Sequence, residues 1–238
     1  MGKFMTIKEK SLSNGKKLNK NYLRIMRVVP KIDTHLVRLS RTIWNGSFYI
    51  GNERYPYFMH NYNAINTERT VEIPWVKKIL SEYEASEVLE VGNVLSNYIY
   101  FPHDIVDKYE TGPGIMNEDI VAFDTIKRYD LIITISTLEH VGFDEPQKES
   151  GKNVRAFENL KRLLKTGGKM VITIPLGYNP EIDEFIRINE KGFEEVHYLI
   201  RTSRLNYWVE ADLSEALKRT YGSRYQAANA VALVLIQK

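Results

Sequence analysis

An α/β fold built on a mostly parallel sheet, covered on both faces, is the class this chain predicts. Three observations carry it. In the run YDLIITISTLEHVG at 129–142, six of the seven residues from Leu131 to Thr137 are β-branched or aliphatic, as a strand buried on both faces requires. Strand-like and helix-like segments alternate from residue 87 onward. Polar and titratable residues gather just past the apolar runs, as Ser136, Thr137, Glu139 and His140 do here. Ligand sites in open α/β sheets lie at such strand ends.

The bulk properties fit one large domain with an appendage. The chain has 238 residues, 43% hydrophobic and 26% charged, enough to bury a substantial core. It has no cysteine, which excludes disulfides, thiolate metal sites and a cysteine nucleophile. No apolar run approaches the roughly 20 residues that span a bilayer, and no signal-peptide core is visible, so a soluble, cytoplasmic protein is expected. The net charge of +3 hides an asymmetry: residues 1–41 carry eleven Lys or Arg against only Glu9 and Asp33. Such a basic arm suits nucleic acid, anionic lipid or a phosphorylated ligand, or is a solvated tail. Leu23, Ile25, Met26, Val28 and Val29 predict ordering before Pro30.

Along the chain, residues 44–62 mix Phe48, Tyr49, Tyr55, Tyr57, Phe58 and Tyr62 with turn formers. They predict irregular structure with a hairpin around Gly51-Asn52. Pro74 suits a first helical turn, and Trp75, Val76, Ile79 and Leu80 continue that helix to about Tyr83. Strands are expected at 87–91, 104–107, 114–116, 131–135 and 170–174, with a short helical connection at 95–100. An amphipathic helix at 153–164 ends in Lys165 and the Gly167-Gly168 pair, a stop signal. Helical segments at 181–188 and 213–220 and strands at 196–201 and 230–236 complete the alternation. The expected division is a basic arm with an aromatic-rich cap or substrate segment at 1–69, then a cofactor-binding domain at 70–238.

The strand ends carry the chemistry. Glu90 and Gly92 close the 87–91 strand, and glycine there lets the backbone pass close to a ligand. Asp107 closes the next, placed to accept hydrogen bonds from a ribose diol. Asp119, followed by apolar Ile120, suits an adenine amine beside an adenine face. A lone aspartate at a strand end is usually a turn residue or a helix cap. It is the series in order that points to a nucleoside.

LEVG at 89–92, HDIVD at 103–107, NEDI at 117–120, YDLIITISTLEHVG at 129–142 and NLKRLLKTGGKMVITIP at 159–175 together resemble class I S-adenosylmethionine-dependent methyltransferases. The resemblance implies a Rossmann-like sheet, S-adenosylmethionine as cofactor and a methyl-transfer activity. On its terms Glu90, Val91 and Gly92 belong to the loop that contacts methionine and ribose. Asp107 holds the ribose hydroxyls, Asp119 and Ile120 the adenine, and Ser136 and Thr137 the cofactor's remaining edge. The chain departs from the family in its first loop, usually glycine-rich, where Asn93-Val94-Leu95-Ser96 follow a single glycine. Only ten residues separate Gly92 from His103, so the connecting helices are expected to be trimmed. The same single-glycine loop weighs against a dinucleotide dehydrogenase, whose pyrophosphate needs G-x-G-x-x-G.

Methyl transfer from a sulfonium is an in-line displacement, so the protein mainly aligns the acceptor and excludes water. His140 is the candidate base for an acceptor that must lose a proton, with Glu139 to orient it or to contact the cofactor. A structural histidine closing the strand is the equal alternative. Candidate acceptor contacts are Arg69, which could clamp a phosphate or carboxylate, with Tyr178, Asn179, His60 and Tyr62. No metal is expected. Pyrimidine C5 methylation is set aside because it requires a cysteine nucleophile. The expected acceptor is a hydroxyl of a sugar, nucleotide-sugar or phosphorylated metabolite, as in small-molecule or glycan biosynthesis. The alternatives are an RNA methyltransferase using the basic arm, and a non-catalytic methyltransferase-like partner protein. The oligomeric state stays open.

Overall fold

The computed structural model describes residues 34–43 and 46–238. The apolar run at 23–29 and most of the basic arm therefore lie outside the described residues.

Helix α1 (Thr34–Ile43) leads to a hairpin of β1 (Ser47–Ile50) and β2 (Glu53–Pro56), which turns at Gly51 as its Gly-Asn pair predicts. Helix α2 (Arg69–Leu80) follows. It starts earlier than expected, so Pro74 stands inside it rather than in its first turn. A proline there cannot donate to the carbonyl four residues back. That carbonyl, of Thr70, accepts the Phe58 N–H at 2.9 Å instead, so the substitution leaves no buried acceptor without a donor.

The eight-stranded sheet holds β3 (Val88–Val91), β4 (Asp104–Val106), β5 (Ile115–Met116), β6 (Tyr129–Ile135), β7 (Leu164–Pro175), β8 (Glu195–Arg201), β9 (Trp208–Ala211) and β10 (Ala230–Gln237). Their spatial order is β5-β4-β3-β6-β7-β10-β8-β9. Pairing is parallel from β5 to β7 and antiparallel from β7 to β9. The order reverses between β3 and β6, the crevice where doubly wound sheets bind ligands. The first three parallel strands are joined with little more than a 3-10 turn at Leu95–Asn97, as the short spacings predict.

The two faces of the sheet carry separate cores. Leu89, Ile132, Met170, Ile172 and Val234 pack under Phe157 and Leu160 of α3 (Lys152–Leu163) and Ile182 and Ile186 of α4 (Pro180–Asn189), with Ala216 of α5 (Leu213–Ala216). Val88, Leu131, Ile133, Val171 and Leu233 pack on the other side against Val71, Trp75 and Val76 of α2. Successive strand residues point to opposite faces, which is why the inner strands read as continuous apolar runs. Phe48 and Tyr55 of the hairpin and Tyr57 just beyond it join this second core, with Phe58 packed against it, so most of the aromatic block serves packing. Among the described residues no helix is long and apolar enough to cross a membrane.

Candidate functional site

A cavity of about 360 Å³ opens at the carboxyl ends of β3, β4 and β6. Of the residues expected to hold a cofactor, Val91, Gly92, Asp107, Asp119, Ile120, Ser136 and Thr137 all line it. Its wall pairs apolar Val91, Val106, Ile120 and Val141 with carboxylates of Asp107, Glu110, Glu118 and Asp119, a combination suited to a nucleoside. Gly92 has φ +82°, and a Cβ there would lie 2.3 Å from Thr137 Oγ1. Only glycine fits at this close approach.

The aspartates do structural work as well. Asp107 Oδ1 accepts the Tyr109 and Glu110 N–H groups, and Oδ2 accepts that of Asn93 at 3.0 Å. A carboxylate offers about four acceptor positions, so Asp107 retains capacity for a ligand hydroxyl. Asp119 Oδ2 lies 2.6 Å from Lys152 Nζ and 2.8 Å from Lys108 Nζ, and both lysines also reach Glu145. Desolvation pushes the Asp119 carboxyl upward, but the two ammonium groups outweigh it and hold it at about 2. Lys108, Lys152 and Glu145 were not singled out from the sequence, and nothing in their spacing marks them.

Glu90 is a correction. It is fully buried and absent from the cavity wall. Its Oε1 accepts the Val94 and Leu95 N–H groups, and its Oε2 lies 2.8 Å from His103 Nε2. The carboxylate is consumed in bracing the loop that a richer glycine sequence would otherwise shape, and His103, thirteen residues on, was the signal for it.

His140 lines the cavity with its ring between two carboxylates. Nδ1 is 2.5 Å from Asp144 Oδ2, and Nε2 is 3.5 Å from Glu139 Oε1. Burial favours the neutral ring, but Asp144 and Glu139 together raise its pKa above the usual value. Tyr178 donates to the same Asp144 oxygen and meets the His140 ring edge-on at 5.0 Å. Glu139 is wholly buried, and among the described residues neither of its oxygens has a hydrogen-bond partner. Desolvation pushes its carboxyl up to about 8. Asn179 is buried away from both cavities; it caps α4 through Glu181 N and donates to the Glu139 carbonyl.

A second cavity of about 460 Å³ adjoins the first, sharing Asn93, Val94 and Glu110 with it. Tyr62 and Arg69 line it, together with Glu68, Asn97, Tyr98 and Tyr221. His60 does not; it stacks on Phe58 and accepts the Tyr62 N–H. Arg69 Nη1 bonds Glu72 and lies 2.6 Å from Ser136 Oγ, which in turn donates to Glu72 Oε1 at 2.6 Å. Thr173 Oγ1 donates to that same oxygen at 2.7 Å. This buried knot ties α2 to the ends of β6 and β7 and holds Ser136 at φ +41°, a strained position for a serine. Glu72 was not singled out from the sequence; its signal was a carboxylate three residues after Arg69 among the apolar residues of a helix.

No family model matches this chain, and no curated protein matches it. Solved structures of similar shape do. The N-methyltransferase NodS from Bradyrhizobium japonicum WM9, crystallised with S-adenosylhomocysteine, is 15% identical with a TM-score of 0.46, over 72% of this chain and 87% of that one. TehB from Haemophilus influenzae is 14% identical with a TM-score of 0.42, over 75% of this chain and 64% of that one. An rRNA methylase from Streptococcus thermophilus is 10% identical with a TM-score of 0.42, over 70% of this chain and 96% of that one.

Proposed function

We propose that this chain is an S-adenosylmethionine-dependent methyltransferase acting on a small polar acceptor. The observation that carries the reading is the meeting of Gly92, Asp107, Asp119, Ile120, Ser136 and Thr137 around one cavity at the switch point of the sheet. In this reading Val91 and Gly92 pass under the cofactor's backbone, Asp107 accepts from the ribose, and Ile120 covers the adenine beside Asp119. The bound cofactor supplies an electrophilic methyl on a sulfonium. The chain's own part is to hold the acceptor in the adjoining cavity, in line with that methyl, and to keep water out.

The acceptor is proposed to be a polar metabolite of sugar or nucleotide-sugar size, with Tyr62, Tyr98 and Arg69 along its side. His140 is proposed to be a positioning residue: its ring, held by Asp144 and edge-on to Tyr178, fixes one wall of the first cavity.

The test is ligand-linked stability. S-adenosylhomocysteine binding only the native chain must raise its melting temperature in proportion to the logarithm of concentration. An unchanged melting temperature at saturating ligand would remove the reading.

A further inference from the structure

We infer that His103 is a positioning residue for the cofactor, held as an imidazolium against Glu90, so that loss of its proton loosens the loop beside the first cavity. This rests on the methyl-transfer reading above and adds a pH range over which that site is formed.

The ring is wedged between two acceptors. Its Nε2 lies 2.8 Å from Glu90 Oε2 and its Nδ1 2.5 Å from the Phe101 carbonyl oxygen. The His103 side chain is 1% exposed and that of Glu90 is fully buried. A neutral imidazole carries one N–H and one lone pair, whereas a carbonyl and an ionised carboxylate only accept. Making both bonds therefore takes a proton on each ring nitrogen. Besides Glu90, the charged group near the ring is Asp104, next in the chain, which is itself bonded by Lys127 Nζ at 2.7 Å and Tyr129 OH at 2.9 Å. Burial favours the neutral ring, but Glu90, the Phe101 carbonyl and Asp104 outweigh it and raise the His103 pKa above the ordinary value.

What the pair braces is the loop after β3. Glu90 Oε1 accepts the Val94 and Leu95 N–H groups at 2.9 and 2.8 Å, and Asn93 and Val94 line both cavities. A neutral ring would set a lone pair against Oε2 or against the Phe101 carbonyl, and the buried Glu90 carboxylate would lose its ion pair with His103. The contribution of the pair to stability is fully present below the unfolded-state value of about 6.5 and is lost as pH rises through the folded one. A cofactor that prefers the braced loop must raise the His103 pKa in return, because the coupling is reciprocal. Its affinity is therefore full while the free chain keeps the ring protonated, and falls as pH rises through the pKa of the free chain.

The test is calorimetric titration of S-adenosylhomocysteine into the full chain from about pH 6 to pH 9, with the His103 ring signal followed by NMR without ligand. Wild type, His103→Gln and Glu90→Gln are compared. His140 and Glu139 are present in all three, so the reading is the difference between proteins. Wild type is expected to lose up to about tenfold in affinity across the His103 transition, the worth of one net hydrogen bond. His103→Gln still has an NH2 for Glu90 but cannot ionise. It is expected to start weaker by that factor and to converge with wild type at high pH. Glu90→Gln gives an oxygen to the Val94 and Leu95 N–H groups and an NH2 to a neutral ring. Its His103 pKa is expected to fall below that of wild type, and the affinity transition to vanish. The inference is overturned if the wild-type ring titrates at or below the ordinary value. It is also overturned if wild type loses affinity in parallel with either variant, or keeps it across the transition. The Glu90→Gln comparison and the ring titration stand even where His103→Gln fails to fold. No S-adenosylhomocysteine binding at any pH sinks the methyl-transfer reading; the ring titration then decides the charge on His103 by itself.

Discussion

A Cβ placed on Gly92 would stand 2.3 Å from Thr137 Oγ1 and 2.8 Å from Thr137 Cγ2. The end of β3 and the end of β6 therefore touch at the floor of the first cavity, with nothing but a hydrogen to spare. Gly92→Ala is expected to cost about 1–3 kcal/mol, from the clash and from φ +82° together. It should also abolish S-adenosylhomocysteine binding, because Thr137 would be driven into the cavity. Adding Thr137→Ala removes the two closest atoms but not the backbone strain, so the double variant should regain stability only in part. Urea unfolding of the three proteins checks this; full recovery in the double variant would show that the backbone conformation carries no cost.

Asp107→Asn separates the ligand's acceptor from the fold's. The amide keeps one oxygen for Tyr109 and Glu110 N–H but turns an NH2 toward Asn93 N–H. S-adenosylhomocysteine affinity is expected to fall about ten- to a hundredfold, the loss of a charge-assisted bond plus a loosened loop. Isothermal titration measures it, and an unchanged affinity would mean that Asp107 only shapes the turn.

The fold was legible in the sequence wherever burial on two faces forced unbroken apolar runs, as in β6, β7 and β10. It was less legible where packing was thin. The β9 strand buries Trp208 but leaves Val209 and Glu210 exposed, and it follows Asn206 at positive φ, so no period announces it. The Gly167-Gly168 pair does not stop the helix, which ends at Leu163. It lies inside β7, where the register with β6 shifts and a Cβ on Gly168 would be 3.0 Å from the Tyr129 carbonyl. In the site, residue types at strand ends located the first cavity. They could not say which carboxylates were already taken: Glu90 by its own loop, Asp119 by two lysines from distant segments.

Glu139 sets a pH dependence of stability. Its folded-state pKa of about 8 lies above the ordinary glutamate value of about 4.3, so between those limits the folded chain holds a proton that the unfolded chain has lost. Its contribution is intact below the unfolded value and declines as pH rises through the folded one. Wild type is therefore expected to lose stability from about pH 4.3 to pH 8 relative to Glu139→Gln, which cannot ionise. Parallel denaturant midpoints across that range in the two proteins would show that Glu139 does not titrate so high.

Arg201 fixes the second cavity without lining it. It is 1% exposed, and Nη1 donates to the Asn66 and Gln226 carbonyls at 3.1 and 2.9 Å while Nε donates to that of Ser203 at 3.2 Å. The guanidinium lies over the Tyr225 ring at 4.9 Å, and burial lowers its pKa to about 10. One side chain thus ties the segment before α2 to the loop before β10, and Thr67, Gln226 and Ala227 of those two segments line the cavity. Arg201→Met keeps apolar bulk but leaves four carbonyls, those of Asn66, Ser203, Arg204 and Gln226, without their donor, at an expected cost of about 2–5 kcal/mol. Because the first cavity is built from other strands, S-adenosylhomocysteine affinity of the folded variant should stay near wild type. A stability within about 0.5 kcal/mol of wild type in urea would show that water replaces the guanidinium at those carbonyls.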